Sequence, residues 1–186
     1  FLTMFMCEWL LCLSSYDTYY KKQVVSFDEL GIIIYDISKA IEKMWNRRIV
    51  HRDIKPSNIL IRENNRACVI DLGVARHLDA SSLTALGSTW GTLGYLSPEQ
   101  AKSVRQLTCK SDIYALGILI VECFFRRHPS GGDQLRLFGL GLHNKLPEPL
   151  NSWMYSNYMR LMLNPEPMRR PKPSELLVAF EQFKGG

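Results

Sequence analysis

The chain has 186 residues, of which 46% are hydrophobic and 22% charged, and its formal net charge is +5 at pH 7. This length suffices for one domain with a buried core, and the composition is ordinary for a globular protein. The basic residues are scattered in doublets rather than gathered in one stripe, so we expect no nucleic-acid partner. The longest apolar stretch, residues 115–125, is too short to cross a bilayer, so we expect no membrane segment within this chain.

The cysteines show neither a C-x-x-C pair nor a histidine at metal-ligand spacing. An odd number of cysteines without such a framework is typical of free thiols in a reducing compartment, so we expect a cytoplasmic location. A membrane anchor elsewhere in a longer parent chain stays open. The five cysteines are Cys7, Cys12, Cys68, Cys109 and Cys123.

The first predicted elements are a strand and a helix. Residues 1–6 form an apolar run with β character, whereas residues 9–25 have no clear period and leave room for a short helix. Ser26 and Glu29 have the spacing of a capping box. The apolar residues that follow, from Leu30 onward, recur at helical intervals, which predicts a helix that ends at a pair of arginines near residue 47.

The later elements include a hairpin, a long loop and a buried helix. Two β-rich runs, 58–62 and 67–70, flank a turn cluster and predict the hairpin. Residues 72–90 lack periodicity and predict the loop. Residues 112–125 are nearly all apolar, which predicts a helix buried on most faces, and the final helix is predicted at 174–183. Together these elements predict an α+β fold that is mainly α.

The string 51–58, His-Arg-Asp-Ile-Lys-Pro-Ser-Asn, carries the chemistry. Asp53 is placed to accept a proton from a hydroxyl nucleophile, and Lys55 to neutralise charge on a transferring phosphoryl group. Asn58 and Asp71 are hard oxygen donors of the kind that Mg²⁺ requires. A loop and a hairpin can bring all four groups to one point, so the string predicts phosphoryl transfer with Asp53 and Lys55 as catalytic residues.

At these residues the chain resembles the eukaryotic-type (Hanks-type) protein kinase family, on its serine/threonine side. The family's catalytic loop reads H-R-D-L-x-x-x-N and its metal motif D-F-G, and this chain has Ile54 and Leu72 at the variable apolar positions. Lys55 is typical of the serine/threonine branch. Downstream, residues 91–99 resemble the family's P+1 loop and A-P-E motif, with Ser97 in place of Ala.

The resemblance continues to the end of the chain. Residues 111–117 resemble the start of the long buried helix of the large lobe. Arg170 resembles the late arginine that pairs with the glutamate of the A-P-E motif, here Glu99. By the same resemblance, Thr92 would contact the two catalytic residues, and His51 would pack in the core and bind backbone.

The resemblance implies a protein-kinase-like fold and a partial protein kinase domain over residues 1–186, consisting of the hinge and the C-terminal large lobe. The catalytic loop would be 51–58 and the activation segment 71–99, with a short β hairpin at the catalytic cleft. Arg52 would meet a phosphate on the activation segment. The candidate phosphorylation sites are Ser88, Thr89 and Thr84.

The implied cofactors are ATP and Mg²⁺. In the family's arrangement Asn58 and Asp71 would be the metal ligands. Leu60 would pack beneath the adenine ring. The residues expected to contact the nucleotide or its metal are Lys55, Asn58, Leu60 and Asp71.

No G-x-G-x-x-G-x-V loop and no V-A-I-K-type strand precede the catalytic loop, so we expect the N-terminal β lobe to be absent from this chain. The chain alone is therefore expected to be inactive. Its expected partners are that missing lobe and protein substrates that carry serine or threonine hydroxyls.

Two other functions share features with this sequence. Small-molecule phosphotransferases have an H-x-D-x-x-x-x-N loop, but they lack the segment that runs here from Gly91 to Glu99. The second alternative is a pseudokinase or scaffold module that binds protein partners without catalysis. The intact site residues argue against that alternative, whereas the absent small lobe argues for it. These residues are Asp53, Lys55, Asn58 and Asp71.

Overall fold

The computed structural model describes residues 13–15, 24–62, 64–71, 76–77, 92–104 and 106–185, with only the backbone described at 13–15 and 76–77. The predicted strand at 1–6 and nearly all of the predicted loop lie outside these residues. The elements in chain order are β1 (Leu13–Ser15), α1 (Phe27–Trp45), β2 (Ile49–Val50), β3 (Ile59–Arg62), β4 (Ala67–Val69), β5 (Arg76–His77), α2 (Pro98–Ala101), α3 (Cys109–Phe125), α4 (Gln134–Gly139), α5 (Ser156–Met162) and α6 (Pro173–Ala179). Short 3₁₀ turns lie at Pro56–Asn58, Leu150–Ser152, Pro167–Arg169 and Glu181–Phe183.

Helix α1 begins at the predicted capping box. The Glu29 N–H donates to Ser26 Oγ at 3.2 Å, and the Ser26 N–H donates to Glu29 Oε2 at 2.8 Å. These reciprocal bonds satisfy donors that the first helical turn would otherwise leave without partners. The apolar residues that predicted this helix form its buried face, among them Leu30, Ile33, Ile34, Ile37 and Ile41.

The predicted hairpin is confirmed as β3 and β4, which pair antiparallel. Strand β1 pairs with the other edge of β3, so residues 13–15 form a strand, and most of the segment 9–25, where the sequence left room for a short helix, lies outside the described residues. Strands β2 and β5 form a separate antiparallel pair. The chain is thus mainly helical with short strands, as the sequence predicted.

A buried carboxylate holds the hairpin against α1. Asp36, on α1, forms an ion pair with Arg66 and accepts a hydrogen bond from the Ala67 N–H at 2.9 Å. Arg66 also donates to the carbonyl of Phe183, at 2.9 Å, near the end of the chain. The hairpin is therefore fixed to both the first helix and the last turn.

Helix α3 is the central element of the core. It begins at Cys109, one turn earlier than predicted, because Thr108 caps it by accepting the Lys110 N–H at 3.3 Å. The prediction followed only the apolar run and so passed over this polar first turn. Gly117 permits close approach to α5, since a Cβ there would lie 3.0 Å from Leu163 side-chain atoms.

The predicted pair between Glu99 and Arg170 is confirmed as a buried two-pronged ion pair. Arg170 Nη1 lies 2.6 Å from Glu99 Oε1, and Nη2 lies 2.8 Å from Oε2. Ser111 Oγ also donates to Glu99 Oε1, at 2.9 Å, and the Arg170 guanidinium lies 4.8 Å from the centre of the Tyr114 ring. Burial alone would raise the pKa of Glu99, but the bonds and charge of Arg170 outweigh burial and lower it.

We predict that Arg170→Met lowers the free energy of unfolding by about 3–5 kcal/mol, because it leaves the Glu99 carboxylate buried without its cation. Chemical denaturation measures the loss. Arg169→Ala is the matched control, because the side chain of Arg169 is 66% exposed and its ion pair with Glu166 lies in solvent. The control should cost about 0.5 kcal/mol or less. Equal losses in the two variants would contradict the buried clamp.

Candidate active site

The 51–58 loop, which connects β2 to β3, is bound at its first two residues by Asp112 on α3. The carboxylate of Asp112 is buried, and it accepts the His51 N–H at 2.9 Å and the Arg52 N–H at 2.8 Å. Burial raises the pKa of this carboxyl, and the two backbone donors oppose the rise. Arg52 has a φ of +71°, a strained conformation for a residue other than glycine. The two bonds to Asp112 therefore hold the loop in a backbone shape that it would not adopt by itself.

His51 links this loop to the end of the hairpin. Its Nδ1 accepts the Asp53 N–H at 3.3 Å, so its Nε2 carries the proton and donates to the carbonyl of Ile70, at 3.3 Å. The ring is fully buried, which confirms the predicted structural role of this histidine and excludes it as a solvent-accessible base.

Both oxygens of the Asp53 carboxylate are bound. Oδ1 accepts the Thr92 N–H at 3.0 Å and the Thr92 hydroxyl at 2.9 Å. Oδ2 lies 2.8 Å from Lys55 Nζ and 3.0 Å from Asn58 Nδ2. Lys55 Nζ also donates to Thr92 Oγ1, at 2.6 Å, as the resemblance implied. Asp53, Lys55, Asn58 and Thr92 thus form one connected polar cluster.

This cluster keeps Asp53 ionised. Burial alone would raise the pKa of Asp53, but the hydrogen bonds from Lys55 and Thr92 outweigh burial and hold its pKa below the ordinary value of 3.8. The side chains of Lys55 and Asp53 are 23% and 11% exposed, so the pair stays in contact with solvent. The site therefore presents a fixed anion and a fixed cation at an accessible surface.

The fit of a magnesium ion depends on Asn58 and Asp71. Among the described residues, the side-chain hydrogen bonds of Asn58 are donated by Nδ2, to Asp53 Oδ2 and to the Asp53 carbonyl at 2.8 Å, and Oδ1 is the atom that could face a cation. The Ile70 N–H donates to the Asn58 carbonyl at 2.9 Å, so the exposed Asp71 directly follows the residue that pairs with Asn58. These hard oxygen donors fit Mg²⁺, which commonly binds one or two protein groups together with substrate phosphates.

Nothing within the described ranges gathers three or more His, Cys, Asp or Glu side chains into a metal site. Leu60 alternates with the buried Ile59 and Ile61 on β3 and is itself half-buried, so it lies on the face of the hairpin opposite the core. That position is compatible with the predicted platform for a ring.

Some predicted site features lie outside the described residues. They are Leu72 of the metal motif, Gly91, and the three candidate phosphorylation sites Ser88, Thr89 and Thr84.

The residues that position the site and that sequence reasoning missed include one on α3 and a set around Gly94. One is Asp112, which was noticed only as a member of a helix. The other supports the backbone next to Thr92: Gln134 accepts the Gly94 N–H at 2.9 Å and donates to the Leu96 carbonyl at 2.9 Å. His128 lies 3.0 Å from the Gly94 carbonyl. The only local signal for this support is Gly94 itself, whose φ of +94° favours glycine.

The comparisons with known proteins agree with this geometry. The chain matches the protein kinase domain family across residues 3–178. It is 37% identical over 117 residues to the serine/threonine-protein kinase PknE of Mycobacterium tuberculosis (strain ATCC 25618 / H37Rv), a match that covers 63% of this chain and 20% of PknE. It is 45% identical over 101 residues to the serine/threonine-protein kinase PrkC of Bacillus subtilis (strain 168), which covers 54% of this chain and 15% of PrkC.

A plant relative shows similar agreement. The calmodulin-binding receptor-like cytoplasmic kinase 3 of Arabidopsis thaliana is 40% identical over 116 residues, which cover 60% of this chain and 22% of the relative. Because the family match covers most of the sequence, the chain belongs to the protein kinase domain family, and the predicted resemblance is confirmed. The chain spans less than a quarter of the length of these three relatives.

The helices within the described residues include none that combines the length and the apolar character needed to cross a membrane.

We predict that Thr92→Val raises the pKa of Asp53, because burial persists while the hydroxyl that donates to Oδ1 is lost. Titration of the Asp53 carboxyl carbon by NMR measures the pKa. Leu93→Ala is the control, since the Leu93 side chain is 68% exposed and should leave that pKa unchanged.

The lowered pKa of Asp53 makes the stability of the folded chain depend on pH. Ionised Asp53 stabilises the folded chain at neutral pH, and this stabilisation is lost as the pH falls below 3.8 and through the folded-state pKa. In Thr92→Val the stabilisation at neutral pH should be smaller. An Asp53 pKa that stays at its wild-type value in this variant would contradict the role of the hydroxyl.

Proposed function

We propose that this chain is the catalytic lobe of a serine/threonine protein kinase, which transfers the γ-phosphate of ATP to serine or threonine hydroxyls of protein substrates. The observation that carries the proposal is the polar cluster around Asp53. A carboxylate, an ammonium group and a side-chain amide, whose NH₂ group donates to that carboxylate, converge there at the end of a hairpin that also carries Asp71. These are the groups that protein kinases use for phosphoryl transfer.

Each member of the cluster has a separate role in this proposal. Asp53 orients the hydroxyl of the substrate and takes its proton as the new phosphate ester forms. Lys55 neutralises negative charge that develops on the transferring group. Thr92 and Asn58 fix the Asp53 carboxylate from opposite sides, so that it meets the substrate in one orientation.

The cofactors of the proposed reaction are ATP and Mg²⁺. Bound together, they supply the γ-phosphoryl group and most of the charge neutralisation. Asn58 Oδ1 and the Asp71 carboxylate would hold the metal, and Leu60 would support the adenine ring. No G-x-G-x-x-G-x-V loop occurs in the 186 residues, so we propose that a small lobe must supply the remaining nucleotide contacts.

Serine and threonine are the proposed acceptors because Lys55 and Thr92 both belong to the Asp53 cluster. The lysine is the residue typical of the serine/threonine branch, and the relatives PknE and PrkC carry that specificity in their names. We favour this function over a scaffold role, because a binding module would not need a lysine and an amide aimed at the same carboxylate.

We propose that the reaction takes place in the cytoplasm. Among the residues that the structure describes, Cys68, Cys109 and Cys123 are free thiols. Burial raises the pKa of Cys109 to about 11, so this thiol is inert at neutral pH.

We predict that Asp53→Asn reduces phosphoryl transfer by about 10²-fold or more, because the proton acceptor is lost. The assay supplies labelled ATP, Mg²⁺ and a generic protein substrate, and phosphoamino-acid analysis identifies the product. It uses the longest native polypeptide that contains these residues, with circular dichroism to confirm that each variant is folded.

The matched control is Asp133→Asn. Asp133 is an exposed aspartate that caps α4 by accepting the Arg136 N–H at 2.9 Å, and asparagine caps helices equally well. It should retain wild-type activity. Undiminished transfer in folded Asp53→Asn, or phosphotyrosine as the product, would overturn the proposed function.

A further inference from the structure

A buried amide binds a carbonyl of the 51–58 loop, whereas Asp112 binds two of its N–H groups. Gln100, on the four-residue helix α2, is 3% exposed, and its Nε2 donates to the carbonyl of Arg52 at 3.1 Å. Its Oε1 accepts the Ser97 N–H at 3.1 Å and the Ser97 hydroxyl at 3.0 Å. Because a backbone N–H can only donate, these partners fix which end of the amide carries oxygen.

The carbonyl that Gln100 binds belongs to the peptide group that joins Arg52 to Asp53. The Arg52 C=O and the Asp53 N–H are the two ends of one planar unit. The oxygen end is bound by Gln100, and the nitrogen end donates to His51 Nδ1 at 3.3 Å. The preceding N–H, on Arg52, is bound by Asp112. The plane from which the Asp53 side chain departs is therefore fixed at both ends.

We propose that Gln100 is a positioning residue for phosphoryl transfer, which orients the Arg52–Asp53 peptide and through it the Asp53 carboxylate. This inference rests on the proposed function. Gln100 itself touches neither substrate nor nucleotide. Its hydrogen bond to the Arg52 carbonyl links α2, which follows the Thr92 segment in the chain, to the loop that carries Asp53.

The strain at Arg52 explains why such a contact has consequences. A φ of +71° is unfavourable for arginine, so the peptide that follows would turn if its oxygen lost its partner. An error of about 1 Å in the position of a reacting group can reduce a rate by about 10²-fold. A single buried hydrogen bond can therefore have a larger effect on turnover than on stability.

Gln100→Glu tests the proposal with almost no change of shape. Glutamate retains the two contacts with Ser97, since glutamate is the usual partner in a capping box. It replaces the donor to Arg52 by an oxygen that repels the carbonyl. We expect kcat to fall by at least about tenfold, with KM for ATP and for the protein substrate within about threefold of wild type.

The pH profile separates positioning from general damage. Protonation of the carboxyl introduced by Gln100→Glu restores a donor, so the ratio of the variant's kcat to that of wild type should rise as the pH is lowered from about 8 to about 6. Gln100→Met lacks the donor at every pH, and its ratio should stay flat. Ser97→Ala removes one of the two contacts that hold Gln100 Oε1 but keeps the Ser97 N–H contact and the donor to Arg52, so its turnover should fall less than that of Gln100→Glu and its ratio should not depend on pH.

A second readout does not depend on activity. Hydrogen–deuterium exchange of the peptide that covers residues 51–58 should be faster in Gln100→Glu than in Ser97→Ala, with the exchange of α3 unchanged. Wild-type kcat and wild-type exchange in Gln100→Glu would overturn the inference. The inference would also be overturned if Gln100→Glu and Gln100→Met lost the same fraction of kcat at every pH and both had a raised KM. If wild type itself transfers no phosphate above the Asp53→Asn background, the proposed function fails. The exchange experiment then tests by itself whether Gln100 fixes the 51–58 loop.

Discussion

The carboxylate of Asp112 is the contact on which the site depends. It is buried on the largely apolar helix α3, and it is tolerated there because it accepts two backbone N–H groups from the 51–58 loop. Those bonds hold Arg52 in a left-handed conformation that turns the chain toward Asp53. Without these two bonds, the strained backbone at Arg52 would be expected to relax, and the Asp53 side chain would move with it. The chemistry at the surface is thus fixed by a polar group in the core.

A second buried ionic contact has a similar role nearby in the fold. Glu99 and Arg170 join α2 to the C-terminal segment of the chain, and Ser111 links that pair to the first turn of α3. Gln100 is the neighbour of Glu99 and reaches back to Arg52. The loop, the short helix α2 and the central helix are therefore connected through side-chain bonds rather than through apolar packing alone. This construction suits a site whose groups must keep fixed mutual positions.

Features set by neighbours in the sequence could be predicted from it. The capping box of Ser26 and Glu29, the hairpin, and the 51–58 string each depend on residues a few positions apart. The pair between Glu99 and Arg170 was predicted only through a family resemblance. Asp112 lies 61 residues from His51, and Gln100 lies 48 residues from Arg52. No local pattern encodes contacts across such separations, so the residues that support the site could not be found from the sequence.

The most direct test of this account is hydrogen–deuterium exchange at the amides of His51 and Arg52 in Asp112→Asn. An asparagine must turn an NH₂ group toward one of two N–H donors, so one bond is lost while the shape is kept. Exchange at one or both amides should become at least about tenfold faster, whereas α3 stays protected. Ser111→Ala, a buried change on the same turn, should leave both amides as in wild type. Unchanged protection of His51 and Arg52 in Asp112→Asn would contradict the claim that this carboxylate fixes the loop.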